Sequence, residues 1–327
     1  MILILSKEQE ESTNSVIDWL EYSDAEYIRF NGDNFDLNQF YLEISESSSD
    51  FLTGIPCDIS DVNVVWYRRW GNLGKPMPFV KISDDTDFHK TLNNYLLDEN
   101  KHLSLALFSL FQDSYWLSKP KSHIIEDKFL YLSAAKSLDI TIPNTFLLNN
   151  KKKLTDILKS GVKLISKSLG NAHKIKYNNK THIPYTDEIT ESDLENLEET
   201  FFVSLFQEKI EKEYEIRSFY LDGTFYSMAI FSQFDDKTEL DFRRYNFSKP
   251  NRTVPYSLPK ELEKKLIKLM EKFNFNTGSI DIIKSKNGKY YFLEINPIGQ
   301  FGMTSIPCNF QIEKKIAEFL ISKDKHI

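Results

Sequence analysis

Hydrophobic and polar positions along the first 118 residues alternate between two periods. "MILIL" (1–5), "EYIRF" (26–30) and "DVNVVWYRRW" (61–70) are short apolar runs of the kind that form buried strands. "ESTNSVIDWLEY" (11–22) and "FHKTLNNYLLDENKHLSLALFSLFQ" (88–112) repeat their apolar residues at helical spacing. Strands and helices in alternation predict a small open α/β domain over residues 1–118. "GNLGKPMP" (71–78) reads as a loop from its glycines and prolines. Around "WLSKPKSHIIEDK" the pattern resets, and Pro120 marks a boundary near residue 118.

Beyond it, "IIEDKFLYLSAAKSLDI" (124–140) predicts a helix, and "ITIPNTFLLNN" (140–150) a strand leading out of it. "VKLISKSLGN" (162–171) is a strand followed by a turn, and "NAHKIKYNNKTHIPYT" (171–186) is polar and loop-like. A β-rich region follows from "FFVSLFQ" (201–207) onward. The helices "LPKELEKKLIKLMEKF" (258–273) and "QIEKKIAEFLI" (311–321) flank its last hairpin. There is no internal repeat.

That hairpin carries acids inside apolar runs. "SIDII" (279–283) and "YYFLEI" (290–295) flank Asn287-Gly288, a strong two-residue turn signal. With that pair at the turn centre, Ser285 faces Tyr290, Ile283 faces Phe292, and Asp281 faces Glu294. Alternation puts Asn296 on the face of Glu294. Directly opposed carboxylates repel and destabilise a sheet, and a bound divalent cation reverses the sign. Mg²⁺ takes one or two carboxylates together with phosphate oxygens and water. A solvated hairpin face would also tolerate the acids, but Ile283 and Phe292 on that face argue against full exposure. The pattern points to a metal–nucleotide platform.

Composition narrows the picture. A chain of 327 residues, 41% hydrophobic and 27% charged, has the make-up of an ordinary soluble globular protein with room for two or three compact units. A net charge of −7 gives no support for general nucleic-acid binding. "MILILS" followed by "KEQEE" suits a buried strand rather than a signal peptide, and no apolar run is long enough to span a bilayer. Cys57 and Cys308 lie far apart without metal-ligand spacing, as expected of reduced thiols in a cytoplasmic protein. Scattered histidines and the lack of a G-x-S-x-G elbow argue against zinc and serine-nucleophile chemistry.

Charges elsewhere sit where a nucleotide would need them. Lys167 ends an apolar strand beside a glycine turn, within reach of phosphates, although a strand-end lysine also snorkels to water. Lys128 sits in the first turns of a helix, the wrong end for the helix dipole. In "FQEKIEKEYEIRSF" (206–219), Gln207 and Glu208 end a strand, and Glu215 and Arg217 share a face of the next. Arg217 suits a phosphate or acyl-phosphate oxygen, or a salt bridge with a neighbour. Arg243 and Arg244 in "DFRRYN" point to opposite faces, so one of them is expected at the site. Arg68 and Arg69 either contact an acidic peptide or decorate a strand end.

Taken in order, these residues resemble the ATP-grasp superfamily over roughly residues 119–327. "VVWYRRW", "LEINPIGQFGM" and "PCNFQIEKKIAEFL" further resemble the ATP-grasp peptide maturases that make graspetides, of the grasp-with-spasm type. That resemblance implies an ATP-grasp fold behind an N-terminal pre-ATP-grasp domain (1–118). Its central subdomain would span 119–206, and its C-terminal subdomain, bearing the Mg²⁺ site, 207–327. It implies ATP and two Mg²⁺ ions as cofactors, a precursor peptide with leader and core as partner, and a homodimer. Asp281, Glu294 and Asn296 would hold the metal. Lys128, Lys167, Glu208, Lys209, Ile210, Glu215, Arg217 and Arg243 would contact the nucleotide, with the Glu208 and Ile210 backbones at adenine and Glu215 at ribose. Arg217 and Arg244 would be catalytic. The implied reaction joins an Asp or Glu side chain to a Ser/Thr hydroxyl or a Lys amine through an acyl phosphate. Other readings are a ligase adding amino acids to a peptide or joining small molecules, and a nucleotide-binding protein without turnover. "SLGNAH" after Lys167 departs from the denser glycine loop of many ATP-grasp ligases.

Overall fold

The structure is a computed structural model describing residues 1–34, 41–45, 48–53, 57–71, 86–120, 127–170, 175–178, 180–182, 186–233, 248 and 250–324. The chain forms two compact units, Met1–Lys121 with Gln311–Ile327, and Ser122–Phe310.

In the first unit, strands β1 (Ile2–Ser6), β2 (Tyr27–Asn31), β5 (Val64–Tyr67) and β6 (Tyr115–Leu117) form a parallel sheet in the order β2-β1-β5-β6. All five residues of β1 are buried, as expected of a central parallel strand covered on both faces. A separate hairpin pairs β3 (Tyr41–Ser45) with β4 (Ser48–Thr53). Helix α1 (Glu11–Tyr22) buries Thr13, Val16 and Leu20, a helical stripe, and α2 (Thr86–Ser109) buries Ser104, Leu107 and Phe108. From the other end of the chain, the last helix, α8 (Ile312–Asp324), packs on α1, β1 and β5 through Ile312, Ile316, Ala317 and Leu320. Helix α8 thus belongs to the same compact unit as Met1–Lys121, whose apolar surface its stripe covers.

Beyond the ends of β1 and β5, Arg68 is buried with Glu10 at 3.9 Å, and Arg69 reaches the same carboxylate at 3.1 Å. Burial pushes the Arg68 guanidinium down to about 10 against the pull of Glu10. For the Glu10 carboxyl burial acts upward, but the Ser12 hydroxyl and then Arg69 and Arg68 outweigh it and hold it below its ordinary value. Both arginines thus share an internal carboxylate, a role the sequence did not suggest.

The second unit contains two larger sheets. Strands β7 (Thr145–Asn150), β8 (Leu164–Lys167), β11 (Asp187–Glu188) and β12 (Thr200–Glu208) form one, in the order β11-β8-β12-β7, with α4 (Lys151–Lys159) against β7. The stretch read as a polar loop contains the hairpin β9 (Ile175–Tyr177) and β10 (Lys180–His182); a short helix, α5 (Glu191–Glu195), precedes β12. The other sheet is antiparallel, β15-β14-β13-β16-β17, from β13 (Lys212–Leu221), β14 (Thr224–Phe231), β15 (Arg252–Tyr256), β16 (Thr277–Ser285) and β17 (Tyr290–Asn296). Helices α3 (Lys128–Ser137) and α6 (Lys260–Lys272) contribute Tyr131, Ala135, Leu266 and Leu269 to a core beneath one of its faces. Among the described residues no helix is long and apolar enough to cross a membrane.

Candidate active site

Strand alternation sets the site. Ile216 and Tyr220 of β13, Ile280 and Ile282 of β16, and Ile295 of β17 face the α3/α6 core. The intervening Glu215, Arg217, Asp281, Glu294 and Asn296 therefore face the other way. There they line a cavity of about 530 Å³ within the second unit. Seven basic and five acidic side chains line it, so a chain of net charge −7 gathers positive charge here.

Asp281 does lie opposite Glu294, but by a different route from the one expected. The turn spans three residues, Lys286–Gly288, with Gly288 at φ +85° and the Ser285 N–H donating to Lys289 O. A glycine in the left-handed region closes a three-residue hairpin in this way. The outer pairs are shifted by one, so Ile282 faces Phe292 and Lys284 faces Tyr290. An irregularity between Asp281 and Ile282 restores the pairing of the two acids. One consequence is that Phe292 turns into the core, while Leu293 and Ile283 line the cavity.

Each acid already holds a cation. Arg217 Nη1 donates to both oxygens of Asp281, at 2.9 and 3.0 Å, and Asn296 Nδ2 donates to Oδ2 at 3.0 Å. Lys128 Nζ lies 3.4 Å from Glu294 and donates to Ser168 O at 3.2 Å. Arg217 Nε is buried without a hydrogen-bond partner. Lys128 opens α3 directly after Asp127, whose side chain caps the Phe129 and Leu130 N–H groups. Beyond β17 the chain turns at Gly299 (φ +59°), where a side chain would meet Phe219 at 3.0 Å and Gly278 at 3.1 Å. That close approach sets α7 (Gly302–Cys308) beside the cavity, with Gln300 and Met303 among its lining residues.

The facing wall comes from β8 and β12. Lys167, Lys163 and Ile165 line it together with the segment Gln207–Lys212. The Glu208 N–H donates to Asn144 O and the Lys209 N–H to Lys163 O, both at 2.8 Å. Glu208's carboxylate accepts from Asn144 Nδ2, and the Lys209 ammonium pairs with Glu188 at 2.5 Å. Lys209 therefore offers backbone and methylenes, not its charge. Lys212 and Glu215 form a buried pair at 2.7 Å, and Ser232 Oγ donates to the other Glu215 oxygen at 3.2 Å.

Lys128, Lys167, Glu208, Lys209, Ile210, Glu215, Arg217, Asp281, Glu294 and Asn296 thus share one cavity. Arg243 and Arg244 lie outside the described residues. Sequence reasoning missed Gln233, Gln300 and Met303, which also line it. Gln300 and Met303 fall within "LEINPIGQFGM", where neither was singled out as a site residue, whereas Gln233, just past β14, belongs to no motif. Cys308 and Phe310 pack with Met228 and Ile230, and burial raises the Cys308 thiol.

Among the described residues no group of three or more His, Cys, Asp or Glu side chains is placed to hold a metal. The oxygen set here is two carboxylates and a carboxamide, each carboxylate neutralised by a basic side chain. Such a set fits Mg²⁺ brought in on phosphates better than a metal held by protein alone.

A family model described as the RimK-like ATP-grasp domain matches residues 125–320. No curated protein matches the chain. Among solved structures, a Chryseobacterium gregarium RiPP-associated ATP-grasp ligase, in complex with ADP and a leader and core peptide, is similar at 25% identity and a TM-score of 0.83. The similarity covers 98% of this chain and 96% of that one. The macrocyclase MdnC of Microcystis aeruginosa MRC, bound with precursor peptide MdnA, is 28% identical with a TM-score of 0.78, covering 98% and 99% of the two chains. The ATP-grasp ligase PsnB shares the fold at 16% identity and a TM-score of 0.73, over 98% of each chain.

Proposed function

The chain belongs to the RimK-like ATP-grasp family, and from that premise we propose that it is an ATP-dependent ligase that macrocyclises a ribosomally made precursor peptide. In this reading it joins Asp or Glu side chains to Ser/Thr hydroxyls as esters or to Lys amines as amides. One observation carries the reading: Arg217, Lys128, Asp281, Glu294 and Asn296 converge on a single cavity wall in an arrangement suited to a metal-bound polyphosphate. Near full-length similarity to two peptide-bound ligases supports the substrate class.

Bound ATP supplies the γ-phosphoryl group that converts a carboxylate, whose leaving group would otherwise be oxide, into an acyl phosphate, and Mg²⁺ supplies positive charge on the phosphates. The chain's own task is positioning and charge neutralisation. Asp281, Glu294 and Asn296 offer oxygens to the metal. Lys128, Lys167 and Arg217 neutralise phosphate, with Arg217 also facing the developing acyl phosphate. Either Arg243 or Arg244 joins them, the latter at the reacting end. Segment Glu208–Ile210 faces adenine and Glu215 the ribose. A second metal ion and a homodimer belong to the same proposal; metal titration and light scattering measure both.

The test is co-expression with each small open reading frame beside the gene, recording intact peptide masses for wild type and Glu294→Gln. Loss of one or more waters, abolished in the variant, is the expected result. Gain of whole amino-acid masses would reassign the chain as an amino-acid-adding ligase. No change on any peptide would refute the peptide substrate.

A further inference from the structure

Gln233 follows β14 and lines the same cavity, with both its carboxamide nitrogen and its oxygen buried and without a hydrogen-bond partner. A carboxamide has two donors and two acceptor lone pairs, and native structures seldom leave such a group buried and unpaired. The protein tolerates the cost here, which points to a partner that arrives with a ligand.

Strand register says which part of the ligand. Along β14, Met228 lies opposite Arg217, and Ile230 lies opposite Glu215. The strand therefore runs away from the Arg217–Asp281 pair and towards the Gln207–Lys212 segment. Ser232, the next residue but one, hydrogen-bonds Glu215. Gln233 comes one residue later, on the far side of Glu215 from the carboxylates. Phosphates and the reacting peptide carboxylate belong at the Arg217 end, so neither meets this carboxamide. A phosphate would also leave the carboxamide oxygen unpaired, because it only accepts. Sugar hydroxyls both donate and accept, and so match both ends of the group.

We propose that Gln233 reads the ribose hydroxyls of the bound nucleotide, beside Glu215, and so selects a ribonucleotide. This rests on the ligase reading above only insofar as that reading requires a nucleotide in this cavity.

The experiment is calorimetric titration of Mg-ADP, Mg-2′-deoxy-ADP and Mg-3′-deoxy-ADP into wild type, Gln233→Met and Gln233→Glu, with melting curves of each protein alone. Wild type is expected to prefer ADP over at least one deoxy analogue by about 10-fold, the scale of one buried hydrogen bond. Gln233→Met should bind ADP about 10-fold more weakly and lose that preference. Gln233→Glu, which keeps an acceptor but no donor, should fall between. Without ligand, Gln233→Met should melt no lower than wild type, since it removes an unpaired polar group; a purely structural glutamine would show the opposite. Wild-type ADP affinity in Gln233→Met, or weaker binding with the ribose preference intact, would overturn the assignment. Failure of wild type to bind any nucleotide would instead sink the ligase reading and this inference with it.

Discussion

The ion pairs across the cavity make a quantitative demand on nucleotide binding. Arg217 donates twice to Asp281, and the two side chains are only 7% and 14% exposed. At 2.9 Å and an effective dielectric of ~20, the attraction is about 6 kcal/mol. Removing one partner from a buried pair costs about 3–5 kcal/mol, because the other is left uncompensated. A nucleotide arriving without metal must draw Arg217 from Asp281 at that cost, or bind without its help. On the proposed assignment, a nucleotide arriving with Mg²⁺ would give Asp281 a new counter-charge and free the guanidinium for phosphate. Taking the lower figure, ADP should bind wild type at least ~100-fold more weakly in EDTA than in Mg²⁺.

Asp281→Asn tests the cause. It keeps the shape and the contact with Asn296 but removes the charge that holds Arg217. In EDTA the variant should bind ADP about 10-fold more tightly than wild type, and the gain from Mg²⁺ should shrink below ~10-fold. Isothermal titration with and without Mg²⁺ measures all four affinities. Metal-free binding by Asp281→Asn that is equal to or weaker than wild type would refute the reasoning, since Arg217 would then not be held back by Asp281.

Two further outcomes follow from local geometry. Glu10→Gln leaves Arg68 and Arg69 without their carboxylate and should cost about 3 kcal/mol at neutral pH by denaturant unfolding. Because Glu10 is depressed when folded, its contribution is full above its unfolded value of about 4.5 and fades as pH falls through the folded one, so the two proteins' stabilities should converge in acid; a constant gap would count against the ion pair. Gly288→Ala forces a side chain onto φ +85° and should cost about 1–2 kcal/mol, read as a lower melting temperature, whereas an unchanged value would mean that the turn relaxes freely.

Local signals carried the core of the site in the sequence. Opposed acids on two β-rich runs around Asn287-Gly288 were legible because hairpin pairing is short-range and has a two-residue period. The irregularity beside Asp281 was not, since nothing in "SIDII" encodes a displaced residue, and only a compensating turn error kept Asp281 opposite Glu294. Phe292 consequently went to the core instead of the cavity. Helix α4 went unassigned in the sequence: its first turn is three lysines, yet Asn150 caps it and Leu154 anchors it. Gln233 carried no signal at all: an amide acquires meaning only when burial strips away its water. The partnership of α8 with α1 is likewise a long-range fact that a pattern within either helix cannot state.

That partnership also orders events during synthesis. Residues 122–310, which make up the whole second unit, leave the ribosome before α8 does. The nascent N-terminal unit must wait with its α8-facing apolar surface uncovered until α8 emerges. An early stop within α8 would therefore be felt most by α1, β1 and β5, which are translated long before the helix that covers them.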